Sequence, residues 1–313
     1  MKTTLAPWLV FFRLPNLPTA PGDAVAGAAI ALAASGAAGG AGALAPATLI
    51  LVFATGAAAL LLYMFGLADN DIVGSEADKT QAPRRPIPTG EISIPQARFA
   101  RLACLALAIG AGVAGRMPPL WWIAATALVA TVMAYNRFKG RCRAFGLVAM
   151  GLCRGASLLT GAAALQHVAP DALLSPPVPL AALGWTAYIA AVTGLAADEH
   201  AAKAPLSWSR FLPGLAVFVP MLALAWYPRA SWPLIALCSL FAYGVWALSV
   251  APLGREHDPD VRRKAVGNAI GALVYLQAAY ILAFPHVALI AIVIAIFLST
   301  SIIRKFLEDV PGS

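Results

Sequence analysis

Asn70, Asp71 and Asp78 close the second apolar stretch of the chain, within the segment LADNDIVGSEADKTQAPRRPIPTGEIS that runs from Leu67 to Ser93. A spacing of seven puts Asp71 and Asp78 on one helical face two turns apart, with Glu76 offset from it. Carboxylates gathered at the end of an apolar helix repel one another unless a cation lies between them. Hard oxygen donors of this kind select Mg²⁺, usually as a bridge to the phosphates of a substrate. Arg84 and Arg85, just downstream, suit the same anion. A metal and diphosphate site is one reading; a solvated loop that is first acidic and then basic is the other.

Three more places carry charge that chemistry could use. Lys139 follows the fourth apolar stretch in Tyr135-Asn136-Arg137-Phe138-Lys139-Gly140-Arg141, and a flexible ammonium suits phosphate as a point charge. Arg141 and Arg143 equally serve membrane topology. Arg154 lies inside the fifth stretch, where an arginine is costly unless it faces an anion or a wet cavity. It stands roughly two turns in from the start of that stretch, within reach of a diphosphate held at the mouths of stretches two and four. Asp198 or a backbone carbonyl is its alternative partner. The sixth stretch ends in Asp198-Glu199-His200, with Lys203 beyond, two carboxylates that could hold a second metal; a lone boundary histidine such as His200 is more simply solvated.

The elements that carry these residues are membrane helices. The 313 residues are 60% hydrophobic and 12% charged, against about 25% charged in soluble domains, so polar surface is too scarce to wrap a soluble core. Apolar runs long enough for a bilayer recur throughout, and each must be helical because lipid satisfies no free amide. Charge clusters and Pro/Gly breaks mark ten spans, near residues 18–38, 45–67, 97–115, 119–135, 144–165, 178–197, 210–227, 231–251, 264–284 and 287–304. The break at Phe284-Pro285-His286 is the shortest, and without it nine spans remain. The expected organisation is an interfacial segment over 1–17, one helical membrane domain over 18–305 and a tail over 306–313. Placing the N-terminus inside puts 19 of the 22 Lys and Arg residues on the cytoplasmic side, the bias of the positive-inside rule. The net charge of +8 is therefore a topology signal. No interleaved basic and aromatic helix supports nucleic-acid binding. Cys104, Cys142, Cys153 and Cys238 lack metal spacing and read as packing residues. Trp121, Trp122, Trp226, Tyr227 and Trp232 fall at outer span ends and read as an interfacial belt.

Asn70-Asp71, then Asp78, then Arg85-Pro86-Ile87-Pro88-Thr89-Gly90 resemble the first aspartate-rich motif of the UbiA superfamily of intramembrane prenyltransferases and the Arg-Pro-Ile-Pro-Thr-Gly segment that follows it. Gly74 stands where that motif has its middle aspartate; Asp69 or Glu76 is a candidate to compensate. Tyr135 and Lys139 resemble the family's Tyr-x-x-x-Lys segment, in which the lysine holds diphosphate. Met150-Gly151-Leu152-Cys153-Arg154-Gly155 looks like the matching helix of the EboC-like branch. Asp198 and Glu199 stand at the second acidic motif, although Ala201 and Ala202 replace its further aspartate. Arg13-Leu14-Pro15-Asn16 resembles the entry segment, with Asn16 a candidate site residue, and Arg262, Arg263, Lys264 and Asn268 open the ninth span in the family's fashion, although positive-inside charge explains the basic trio equally well.

The resemblance implies an all-α integral membrane bundle of nine or ten helices around a central cavity. It implies Mg²⁺ as cofactor, held by Asn70, Asp71, Asp78, Asp198 and Glu199. Catalysis would fall to Asn70, Asp71, Asp78, Lys139, Arg154 and Asp198, with Asn16, Arg84, Arg85, Tyr135 and Lys203 binding substrate. The partners it implies are a prenyl diphosphate and a lipophilic, aromatic-type acceptor in a lipid bilayer, with the site facing the cytoplasm. A non-catalytic lipid or precursor carrier of the same fold is the alternative, because Gly74, Ala201 and Ala202 thin the acidic set. A secondary transporter would show inverted repeats and broken helices with a site at mid-membrane, and the sequence shows no repeat and few intramembrane polar groups.

Overall fold

The computed structural model describes residues 5–35, 44–197, 211–219, 222, 231–254, 259–282, 291–296, 298 and 299. Among them every regular element is a helix, with no strand. A short helix α1 (Ala6–Phe11) leads into α2 (Thr19–Ala34), α3 (Pro46–Val73), α4 (Ser75–Gln81), α5 (Ile94–Ala114), α6 (Pro119–Phe138), α7 (Arg143–Ala164) and α8 (Pro177–Ala197). The series continues with α9 (Trp232–Val250) and α10 (Pro259–Leu282). Eight helices among the described residues are long and apolar enough to cross a membrane: α2, α3 and α5 to α10. They correspond to expected spans one to six, eight and nine. Spans seven (210–227) and ten (287–304) lie partly outside the described residues; within them Leu212–Phe218 forms a 3₁₀ helix and 291–296 is helical.

Local sequence sets the boundaries that matter for the site. Proline occupies the first turn of α3, α5, α6 and α9, where its missing N–H costs nothing. Ser93 and Gln96 close a reciprocal capping box on α5, Gln96 Oε1 accepting the Ser93 amide at 2.8 Å. The loop before it turns through Gly90, whose φ of +76° favours glycine. The Ile92 amide donates to Pro86 O at 3.0 Å, and the Thr89 amide to Arg85 O at 3.1 Å.

α7 is the hub, wedged between α2, α6 and α8. A Cβ on Gly27 would collide with the Leu158 carbonyl, on Gly161 with the Ala24 carbonyl, and on Gly151 with the Thr186 carbonyl. Small residues thus let three backbones approach closely where lipid gives no hydrophobic drive for association. α2 is buried on every side, whereas α5 and α6 turn Phe99, Leu107, Val113 and Ile123 outward, each 61% exposed or more. Those outward side chains suit a lipid surround. Trp121 departs from the expected belt: it is buried, and its Nε1 donates to Thr55 Oγ1 at 2.9 Å. A span-end tryptophan faces inward here because a polar partner waits on the neighbouring helix. Trp226 and Tyr227 lie outside the described residues.

Candidate active site

The second span runs on to Val73 rather than stopping near 67, so Asn70 and Asp71 sit in the last turn of α3. Gly74 then separates α3 from α4, in a right-handed conformation (φ −83°, ψ −3°) open to any residue. The Gly74 amide donates to Asn70 O and the Asp78 amide to Gly74 O, each at 2.9 Å. The break is therefore small, and the register expected of one helix survives in two.

Both carboxylates converge on Arg85. Its Nη1 lies 2.7 Å from Asp78 Oδ2 and 3.6 Å from Asp71 Oδ1. Asp71 Oδ1 also accepts from Arg13 Nη2 and from Asn70 Nδ2, each at 3.0 Å. Lys139 donates to Asn70 Oδ1 and stands 5.3 Å from the Tyr135 ring centre. Arg13 reaches this group from a left-handed backbone (φ 48°, ψ 55°), a conformation that costs a non-glycine residue about 1–2 kcal/mol. The cluster holds it there, helped by Phe11, which packs with Ala68, Ile92 and Ala97. Three cations thus face two carboxylates, leaving a net positive end. Burial, then repulsion from Arg13 and Arg85, pushes the Lys139 ammonium below the ordinary lysine value, against the pull of Asp78 and Asp71.

This cluster forms the polar end of a cavity of about 340 Å³. Arg13, Asn70, Arg85, Tyr135, Asn136 and Lys139 make its wall there, and Ala59, Leu62, Leu67, Leu128, Val132 and Met150 make the apolar remainder. Asp71 and Asp78 are buried and gripped by the arginines that face the cavity.

Asp69 and Glu76 do not fill the place of the missing aspartate. Asp69 is fully buried, bound by Arg101 at 2.8 Å, Arg137 at 3.5 Å and Asn136 Nδ2 at 3.0 Å. The Glu76 side chain is 84% exposed and pairs with Lys79 at 2.8 Å. Among the described residues no group of three or more His, Cys, Asp or Glu side chains is placed to hold a metal. The pair Asp71 and Asp78 still fits Mg²⁺ chemically, because Arg85 already puts one cationic nitrogen between them, and Mg²⁺ usually needs only one or two carboxylates besides water and phosphate. Asn70 Oδ1 is the adjacent neutral donor.

Other predicted residues are placed differently. Arg84 is exposed and off the cavity wall, so Arg85 alone of that pair serves the site. From the entry segment it is Arg13 that reaches the cluster, while Asn16 accepts Thr19 Oγ1 through its backbone carbonyl at 2.7 Å. Asp198, Glu199, His200 and Lys203 lie outside the described residues.

Arg154 lines the cavity farther in. Its Nε lies 2.8 Å from Asp23 Oδ2, an ion pair whose angle falls short of a hydrogen bond. Its Nη2 donates to Asp23 Oδ1 at 3.1 Å and to Thr19 O and Oγ1 at 3.2 Å. No hydrogen bond or ion pair among the described residues joins it to the Asp71 cluster. Asp23 escaped the sequence reading because it sits in an Ala-rich span. The available signal is that an intramembrane aspartate demands a partner, and Arg154 is a cation well inside a span.

The sequence profile of the UbiA prenyltransferase family matches residues 24–273. No curated protein matches the chain in sequence. An apo structure of a UbiA homolog from Aeropyrum pernix K1 is 17% identical with a TM-score of 0.67, covering 85% of this chain and 97% of that one. A structure concerning digeranylgeranylglyceryl phosphate synthase in membranes is 16% identical with a TM-score of 0.53, covering 94% of this chain and 99% of that one. Identities this low show a shared fold and assign no branch such as the EboC-like one. The profile match spans most of the helical bundle and both ends of the cavity, and the chain belongs to the UbiA prenyltransferase family.

Proposed function

We propose that the chain is a Mg²⁺-dependent intramembrane prenyltransferase that moves a prenyl group from its diphosphate to a lipophilic acceptor. The observation that carries this reading is the convergence of Arg13, Arg85 and Lys139 at one end of an otherwise apolar cavity. That end suits a diphosphate and the remainder suits a hydrocarbon tail. Arg13, Arg85 and Lys139 would hold the phosphate oxygens, and Asp71 and Asp78 would hold Mg²⁺, which when bound neutralises the leaving diphosphate. The allylic carbon–oxygen bond breaks with its electron pair leaving on the diphosphate. The resulting cation bonds to the acceptor, which gives up a proton. Catalysis of this kind is charge preorganised around a departing anion. The excess of Lys and Arg on one side of the predicted topology supports a cytoplasmic site in a multi-pass cell-membrane protein.

A specific feature favours the carrier alternative: the place of the middle aspartate is Gly74, and both remaining carboxylates are engaged by arginines. A carrier would bind the diphosphate without releasing it. The purified full chain, given farnesyl or geranylgeranyl diphosphate with a panel of phenolic acceptors, is expected to release diphosphate only with Mg²⁺. Tight binding of the same substrates with no release at saturating metal would instead establish the carrier.

A further inference from the structure

The cavity has polar groups in two places, and the mechanism above uses only one. Tyr63, Arg154 and Ser157 stand on its wall away from the charged end. Tyr63 lies seven residues before Asn70 on α3, roughly 10 Å deeper along the helix, and its ring leans farther that way because helical side chains tilt toward the N-terminus. The guanidinium of Arg154 covers that ring at 5.6 Å.

Arg154 is only 7% exposed. Asp23 and Thr19 occupy its Nε and Nη2, and no described residue accepts from Nη1. A guanidinium on the cavity wall thus keeps one nitrogen without an acceptor among the described residues, and the polar groups of so buried a side chain are almost always satisfied. Asp23 is itself locked: Trp185 Nε1 donates to its Oδ1 at 2.8 Å and Gln277 Nε2 at 2.7 Å. The pair is built to stay put.

Resting on the prenyltransferase reading, we infer that Arg154, oriented by Asp23, is the recognition group of a second subsite, which takes a neutral oxygen of the acceptor, a phenol, alcohol or carbonyl. Charge decides the class. Arg154 and Asp23 together are neutral, so a carboxylate or phosphate there would leave one uncompensated negative charge in a low-dielectric interior. A neutral oxygen accepts from Nη1 and leaves no net charge. The diphosphate belongs at the other end, where Arg13, Arg85 and Lys139 outnumber Asp71 and Asp78. Asp23 is on this account a positioning residue.

The test uses the full chain in lipid nanodiscs, with empty nanodiscs correcting for partition into lipid, at pH 7.5. The probes are 4-octylphenol, 4-octylbenzoate and octylbenzene, which share a tail and differ in oxygen chemistry. The phenol is expected to bind about tenfold tighter than either other probe, the effect of about 1.4 kcal/mol. Arg154→Met alone would strand Asp23, so the neutral double variant Asp23→Asn/Arg154→Met is used. It should abolish the phenol's advantage while leaving the affinity for Mg²⁺-pyrophosphate within about threefold. Asp23→Asn alone leaves Arg154 with an unopposed charge and should reverse the order, benzoate over phenol. A wild type that prefers benzoate, equal binding of all three probes, survival of the phenol's advantage in the double variant, or loss of pyrophosphate binding there would each overturn the subsite. A chain that selects the phenol yet neither binds pyrophosphate nor releases diphosphate keeps the subsite and overturns the prenyltransferase reading instead.

Discussion

Asp71→Asn separates the two jobs that the polar end of the cavity must do. The wild-type cluster sets Arg13, Arg85 and Lys139 against Asp71 and Asp78, a net charge of +1; the substitution raises it to +2. A unit charge about 6 Å from a phosphate oxygen is worth roughly 1–3 kcal/mol at effective dielectrics between water and a protein surface. Without metal, pyrophosphate should therefore bind the variant about tenfold more tightly, because two arginines lose a competing carboxylate. With saturating Mg²⁺ the order should invert, with the variant at least about tenfold weaker, because one of two metal-holding carboxylates is gone. The stability cost is expected to be about 1 kcal/mol or less, since Arg13 and Arg85 are 34% and 38% exposed and water can replace the lost contacts. The assay is isothermal titration of pyrophosphate into the purified protein, once in EDTA and once in excess Mg²⁺. Equal weakening in both buffers would show that Asp71 merely supports local structure. Equal tightening in both would show that no metal is held there.

Three further outcomes follow from the same geometry. Lys139 titrates below the ordinary lysine range, so pyrophosphate affinity should fall as pH rises through that lowered value and the ammonium loses its proton; Lys139→Arg, charged throughout, should flatten the profile. Folding stability should move the opposite way over that window, because the unfolded chain binds the proton more strongly there and stability rises with pH when it does. Gly161→Val would drive a side chain into the Ala24 backbone and should cost more than about 3 kcal/mol, read as lost folded yield, whereas Gly110→Val, with nothing within 4 Å, should be tolerated. Gly74→Asp needs no unusual backbone, and its Cβ would stand 3.6 Å from Asp78 Oδ2, so it should tighten the Mg²⁺ dependence of pyrophosphate binding about tenfold; an unchanged metal titration would show that this place contributes no ligand.

What the sequence reveals depends on how local the physics is. Helices and their membrane character are legible because hydropathy acts over a single span, and the Asn70 to Gly90 segment is legible because its residues meet within one helix end and one loop. α3 ends about two turns beyond the boundary that its sequence suggests, since Asp69, Asn70 and Asp71 look like a helix end. They are in fact retained within the helix, with Asp69 taken by Arg101, 32 residues away. Arg13 was less visible than Asn16 because what selects it is a left-handed turn and a partner 58 residues on. Trp121 needed Thr55, and Arg154 needed Asp23, at separations of 66 and 131 residues. In each of these cases a polar group in an apolar span announces that a partner exists, and only the packing of α2, α3, α6 and α7 says which.

The placement of charge along the cavity has a consequence for the proposed ionisation. Breaking an allylic carbon–oxygen bond separates a diphosphate anion from a carbon cation, and the barrier falls if the surroundings favour each charge where it forms. At the end lined by Arg13, Arg85 and Lys139 the excess is positive, which favours the anion. Deeper in, an unpaired Arg154 would oppose the cation by about 2 kcal/mol at a separation near 8 Å and an effective dielectric of 20. Asp23 removes most of that opposition by placing a carboxylate 2.8 Å from Arg154 Nε. Trp185 and Gln277 keep the carboxylate from turning away. An interior arginine can then serve recognition without raising the barrier, so the potential along the cavity runs from positive at the diphosphate to neutral at the tail. On the proposed reading, that gradient would point the departing anion toward the charged end and leave the cation on the neutral side of the cavity, toward Tyr63.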